Sequence, residues 1–154
     1  VTIRGIWGKK PYICQAYDSR VDKFDKVKRL FPALHANGTT PEGLCYEATM
    51  KYFVPTTKDI DSYFLNICDG EPTFSNNQCS YGGENAVLHT KKMVKQIKDL
   101  GIRVMAYFVG DGGYGRGNSA DRFKRMYGSD SKFIDVTQIV PIVKTMNELF
   151  LKKK

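Results

Sequence analysis

The sequence predicts an α/β domain built on a mostly parallel sheet, three layers deep, and three observations predict it. Residues 102–109 form a near-continuous apolar run, the mark of a strand buried on both faces. Just before it, Val87, Met93, Val94, Ile97 and Leu100 recur at helical spacing, with lysines on the opposite side. Along most of the chain, short apolar runs alternate with helical stripes, and alternating strands and helices build parallel sheets.

In chain order, residues 1–7 alternate weakly and residues 11–17 resume extended character, which predicts a hairpin through residues 8–10. Pro11 places that hairpin at the sheet edge, where a missing N–H is tolerated. Phe24, Val27, Leu30, Phe31 and Leu34 mark an amphipathic helix facing the core, with a kink or restart at Pro32. Leu44, Cys45, Ala48 and Tyr52 give a second stripe, and residues 58–61 lead into a strand that ends at Asp69. Residues 72–83 are polar and turn-rich and read as a surface loop. The helix over 85–100 stops at Gly101. Ser119 is expected to cap a short helix with Phe123, Met126 and Tyr127 inward. A strand over 133–136 and a closing helix over 138–151, with Ile139, Val143, Met146 and Phe150 on its face, complete the chain.

Composition bounds the function classes. A chain of 154 residues with 42% hydrophobic and 12% aromatic content suits one folded domain, 1–154. No apolar run approaches the roughly 20 residues that span a bilayer, and no signal peptide is legible. Val1 in place of an initiator methionine is expected of a chain cut from something longer. Cys14, Cys45, Cys68 and Cys79 lack Cys-x-x-Cys spacing, and the first three sit among apolar neighbours, as in a reduced, cytoplasmic protein. The net charge of +8 is spread over separated lysines without a nucleic-acid module. It reads as a solvated basic surface or as attraction to an acidic partner protein.

Two stretches carry chemistry. Asn37-Gly38-Thr39-Thr40-Pro41-Glu42-Gly43 reads as a loop turning into a helix, with Thr40 as N-cap and Pro41 at the first helical position. Ile67-Cys68-Asp69-Gly70-Glu71-Pro72 ends an apolar strand on an acid and a glycine, and ligands of open α/β sheets collect beyond such strand ends. A hydroxyl and a carboxylate there make a hard-oxygen corner suited to Mg²⁺ or Mn²⁺. Thr39, beside Thr40, and Asp111, after the strand over 102–109, are further candidate ligands. The glycine-rich residues 110–117 lack the Gly-Lys-Ser/Thr ending of a phosphate loop and read as a turn. His35 and His89 read as ordinary helix-surface histidines. Glu47 has no acidic mate for two-carboxylate hydrolysis, and Ser62 and Cys68 lack a base.

These two stretches resemble the second and third parts of the metal-ion-dependent adhesion site of von Willebrand factor A (VWA) domains. Within that family the chain is most similar to the cobaltochelatase CobT-type proteins that work beside MoxR-class AAA+ ATPases. The resemblance implies a doubly wound, Rossmann-like sheet with Thr40 and Asp69 as metal ligands, and an open coordination position filled by an acidic side chain of a partner. It implies an adaptor, not catalytic alone, coupling an ATPase cycle to metal insertion or to remodelling of a client. The family's first motif, Asp-x-Ser-x-Ser, is absent; Asp18-Ser19-Arg20-Val21-Asp22 is its nearest approach. The chain is therefore expected to start near the family's second strand and to lack the central one. The other classes are a Mg²⁺-dependent enzyme acting on a phosphorylated substrate, and a basic nucleic-acid-binding domain.

Overall fold

The structure, a computed structural model, describes residues 2–7, 10–15, 17–18, 20–29, 32, 39–68, 71–77, 79–110, 116–135 and 140–151. Its centre is the strand expected from the apolar run, β6 (Arg103–Gly110), in which residues 104–108 are all buried. It pairs in parallel with β3 (Tyr63–Cys68) on one side and β7 (Ser131–Asp135) on the other. The sheet order is thus β3-β6-β7. The links between these strands are α3 (Gly83–Asp99) and α4 (Arg116–Tyr127). The chain steps across the sheet in one direction, and right-handed crossovers then put both helices on one face.

The core follows that rule. Val104, Ala106 and Phe108 of β6 pack with Val87, Met93, Val94 and Ile97 of α3, and with Phe123, Met126 and Tyr127 of α4. Tyr46 of α2 (Glu42–Thr49) joins the same cluster, and Phe108, Phe123 and Tyr127 pack ring against ring. On the opposite face Met105 and Tyr107 are buried with Ile134, against Tyr63. The fold is therefore mixed α/β, a parallel three-stranded sheet flanked by helices. No described side chain supplies the expected third layer.

Several elements depart from the sequence expectation. The N-terminal hairpin exists, with β1 (Thr2–Trp7) antiparallel to β2 (Lys10–Gln15), but it forms a two-stranded sheet of its own. α1 (Phe24–Lys28) has five residues and buries none of them, with Phe24 more than half exposed. Leu30, Phe31 and Leu34 lie outside the described residues. The buried face of α2 is Glu42, Gly43, Tyr46 and Thr49, and Tyr52 lies exposed in the following 3₁₀ turn. That face is polar and internally bonded, so an apolar stripe does not find it. The expected loop over 72–83 holds a minimal hairpin, β4 (Phe74–Ser75) with β5 (Ser80–Tyr81). Ser119 lies inside α4, past its first residue Arg116, and not ahead of it as a cap would. On α5 (Val140–Leu151), Val143 is exposed where an inward position was expected. Ile139 and the side chains of Met146 and Phe150 are outside the described set.

The helix α3 ends as expected. Gly101 takes φ +74°, and its N–H donates to the Lys98 carbonyl at 2.8 Å, a left-handed ending that favours glycine. The Leu100 carbonyl accepts from the Thr56 N–H at 3.1 Å, tying the helix end to the segment before β3.

Phe123 is completely buried between β6 and β7, so Phe123→Ala should cost about 3–5 kcal/mol. Equilibrium urea unfolding checks this; a loss below about 1 kcal/mol would mean that this face is not packed as described.

Candidate functional site

Beyond the carboxyl end of β3, the segment that resumes at Glu71 meets the loop before α2. The Thr73 N–H donates to the Thr40 carbonyl at 3.1 Å, and the Glu42 N–H donates to the same oxygen at 2.9 Å. Pro72, between the acid turn and Thr73, is fully buried. The segment after β3 is thereby strapped to the loop before α2. Thr40 is half-buried and Thr39 exposed. Asp69 and Asp111 lie outside the described residues, as does His35.

Thr40 does not cap α2. Pro41 occupies the capping position, and no side chain caps the helix start. The Thr40 carbonyl takes the structural role, which leaves its hydroxyl out of the helix. Among the described residues no group of three His, Cys, Asp or Glu side chains converges so as to hold a metal. The donors expected from the sequence, the Thr40 hydroxyl and the Asp69 carboxylate, are oxygen only, the chemistry that suits a hard cation. Asp18 is no part of it. Its carboxylate is bonded by the Arg20 guanidinium at 2.6–3.2 Å on an exposed turn, and that side-chain bond lowers its pKa to about 2.

Next to the strap lies a clamp that sequence reasoning missed. Glu71 Oε1 accepts from Ser119 Oγ at 3.1 Å, and Glu71 Oε2 pairs with the Arg122 guanidinium. Both partners sit on α4, 48 and 51 residues away in sequence, so no local pattern announces them.

Below the site is a buried polar cluster. Glu42, at the start of α2 and 3% exposed, accepts from Asn66 Nδ2 at 3.0 Å through Oε1. The same amide group donates to the Tyr127 hydroxyl at 2.9 Å, and Tyr127 and Tyr46 share a hydroxyl–hydroxyl bond of 2.6 Å. Buried polar groups persist when bonded in this way. Burial first, and then the neighbouring Glu42 charge, holds the Tyr46 phenol well above its ordinary pKa. Burial does the same for Tyr127, seconded by Tyr46. Burial, then Glu42, pushes the Cys45 thiol up to about 11, so it is not a nucleophile near neutrality. Cys45 and Cys79 are free thiols.

A second cluster fastens the small hairpin. The Tyr81 hydroxyl lies 3.1 Å from His89 Nδ1 and 3.3 Å from both Thr90 Oγ1 and the Ala86 carbonyl. His89 Nε2 is 3.6 Å from Glu47, so His89 is a tethered residue instead of the unpartnered surface histidine expected. A Cβ on Gly43 would meet the Tyr81 hydroxyl at 2.3 Å, which is why glycine stands there.

The chain matches no protein-family model and no curated protein. Among the described residues no helix is long and apolar enough to cross a membrane.

Two predictions follow from these clusters. The folded pKa of both buried phenols exceeds the unfolded value, so above about pH 10 the folded state holds more protons than the unfolded one. Their contribution is complete below that pH and is lost as pH rises through the folded values. The urea midpoint should therefore fall above about pH 10, and Tyr127→Phe should fall less steeply while losing about 1 kcal/mol at neutral pH. An equal alkaline slope in both proteins would contradict the cluster. Gly43→Ala should destabilise by about 1–3 kcal/mol through overpacking, with partial recovery on adding Tyr81→Phe; thermal melts of the single and double variants decide it.

Proposed function

We propose that the chain is a divalent-cation-dependent protein-interaction domain of VWA type, the adaptor of a MoxR-class AAA+ ATPase in a chelatase-like or remodelling complex. The observation that carries the reading is the Thr73 N–H to Thr40 carbonyl bond. It joins the threonine loop to the segment following the strand-end acid, where parallel α/β sheets present ligand sites. The two weak motifs are remote in sequence, 29 positions apart from Thr40 to Asp69, and their flanks are neighbours in the fold.

In this reading Thr40 supplies a hydroxyl oxygen and Asp69 a carboxylate to Mg²⁺ or Mn²⁺. Thr39 and Asp111 stand by as weaker candidates. A bound cation supplies a coordination position for an acidic side chain of the partner. The contacts that flank these ligands support the reading: the Thr40 carbonyl accepts two backbone bonds, and after Asp69 in sequence Pro72 is buried and Glu71 is bonded by Ser119. The reading carries with it a doubly wound, three-layer sheet and a cytoplasmic setting. The basic surface would speed the encounter with an acidic partner without setting specificity.

The test is a binding assay of the full-length protein against its AAA+ partner, with Mg²⁺ and with EDTA. Binding should need the cation and be lost in Asp69→Ala and Thr40→Ala. Equal binding in both buffers would reject the cation bridge.

A further inference from the structure

The described side chains of α5 are Val140, Val143, Lys144, Asn147, Glu148 and Leu151, and all of them are exposed. They recur at i, i+3, i+4, i+7, i+8 and i+11, which at 3.6 residues per turn confines them to one arc of about 140°. On that arc Val140, Val143 and Leu151 are 76%, 52% and 78% exposed. One exposed apolar residue needs no explanation, but three aligned along a helix face mark an interaction surface. Lys144 and Glu148 lie between the apolar ends, on the same flank and about one turn apart. Lysine precedes glutamate, the less favourable order for a pair within one helix.

The arc is complementary to itself. Laid antiparallel against a copy about a twofold axis near its middle, it brings Val140 to Leu151 of the second copy. The same register brings Lys144 to Glu148 of the second copy, and the axis repeats each contact. Asn147 then falls near the axis, where a polar residue fixes register. A partner carrying one sign of charge would meet either Lys144 or Glu148 unfavourably, whereas a second copy satisfies both.

We propose that the exposed face of α5 is the contact surface of an antiparallel homodimer, held by Val140 on Leu151 at each end and by two Lys144–Glu148 pairs between the chains. The inference is independent of the cation site. The helix has 12 residues and is about 18 Å long, so the contact is at the small end of specific interfaces and the dimer is reversible.

Sedimentation equilibrium of the full chain over a concentration series tests this, with circular dichroism as the check on folding. The wild-type protein should show a monomer–dimer equilibrium. Lys144→Glu and Glu148→Lys should each weaken it about 10-fold, because two attractive pairs become two like-charge pairs. Both positions are exposed, so the fold should be unaffected. An equal mixture of the two variants should associate at least as well as the wild type, since every altered position then faces an opposite charge. An effect confined to each helix could not be repaired by mixing. A wild-type monomer at every concentration up to about 1 mM overturns the proposal. So does a dimer indifferent to both substitutions, or one that mixing does not restore.

Discussion

The constraint on which the rest depends is the burial of β6 on both faces while it pairs in parallel on both edges. A parallel neighbour cannot be reached by a tight turn, so each link needs a helix. Handedness then sends α3 and α4 to the same face, where Phe123, Tyr127 and Ile97 close over Val104, Ala106 and Phe108. The same geometry brings the carboxyl ends of the strands to one edge. The cation-site reading rests on that edge.

How much of this was legible in the sequence depended on how apolar the buried pattern was. β6 and α3 are written in Val, Ile, Met and Phe, with lysines turned outward, and both elements lie where the periodicity puts them. α2 was legible as a helix but not in its phase. Its inward positions are Glu42, Tyr46 and Thr49, bonded to Asn66, to Tyr127 and to the helix's own carbonyls. A polar core that satisfies itself looks like surface in one dimension. The stripe of α1 erred the other way, since Phe24 is apolar but exposed.

The contact beside the Thr40 loop was not legible in the sequence. A strand end followed by an acid and a glycine, and a threonine before a helix, could each be marked from the sequence, but not the bond between Thr73 and Thr40. That bond is made by backbone groups, which every residue carries, so no side-chain signal announces it. The cap assigned to Thr40 was a reasonable local inference that the helix start at Glu42 displaced by one residue. The Glu71–Arg122 pair and the Asn66–Tyr127 bond join distant segments, and only the fold selects such partners.

The central claim is that the Thr40 and Asp69 segments form one cation site. Paramagnetic broadening by Mn²⁺ in the NMR spectrum of the full-length protein tests it most directly. The amide signals of Thr40 and Thr73 should disappear first at substoichiometric Mn²⁺, and should persist in Asp69→Ala. Broadening centred elsewhere on the surface, or unchanged by Asp69→Ala, would contradict it.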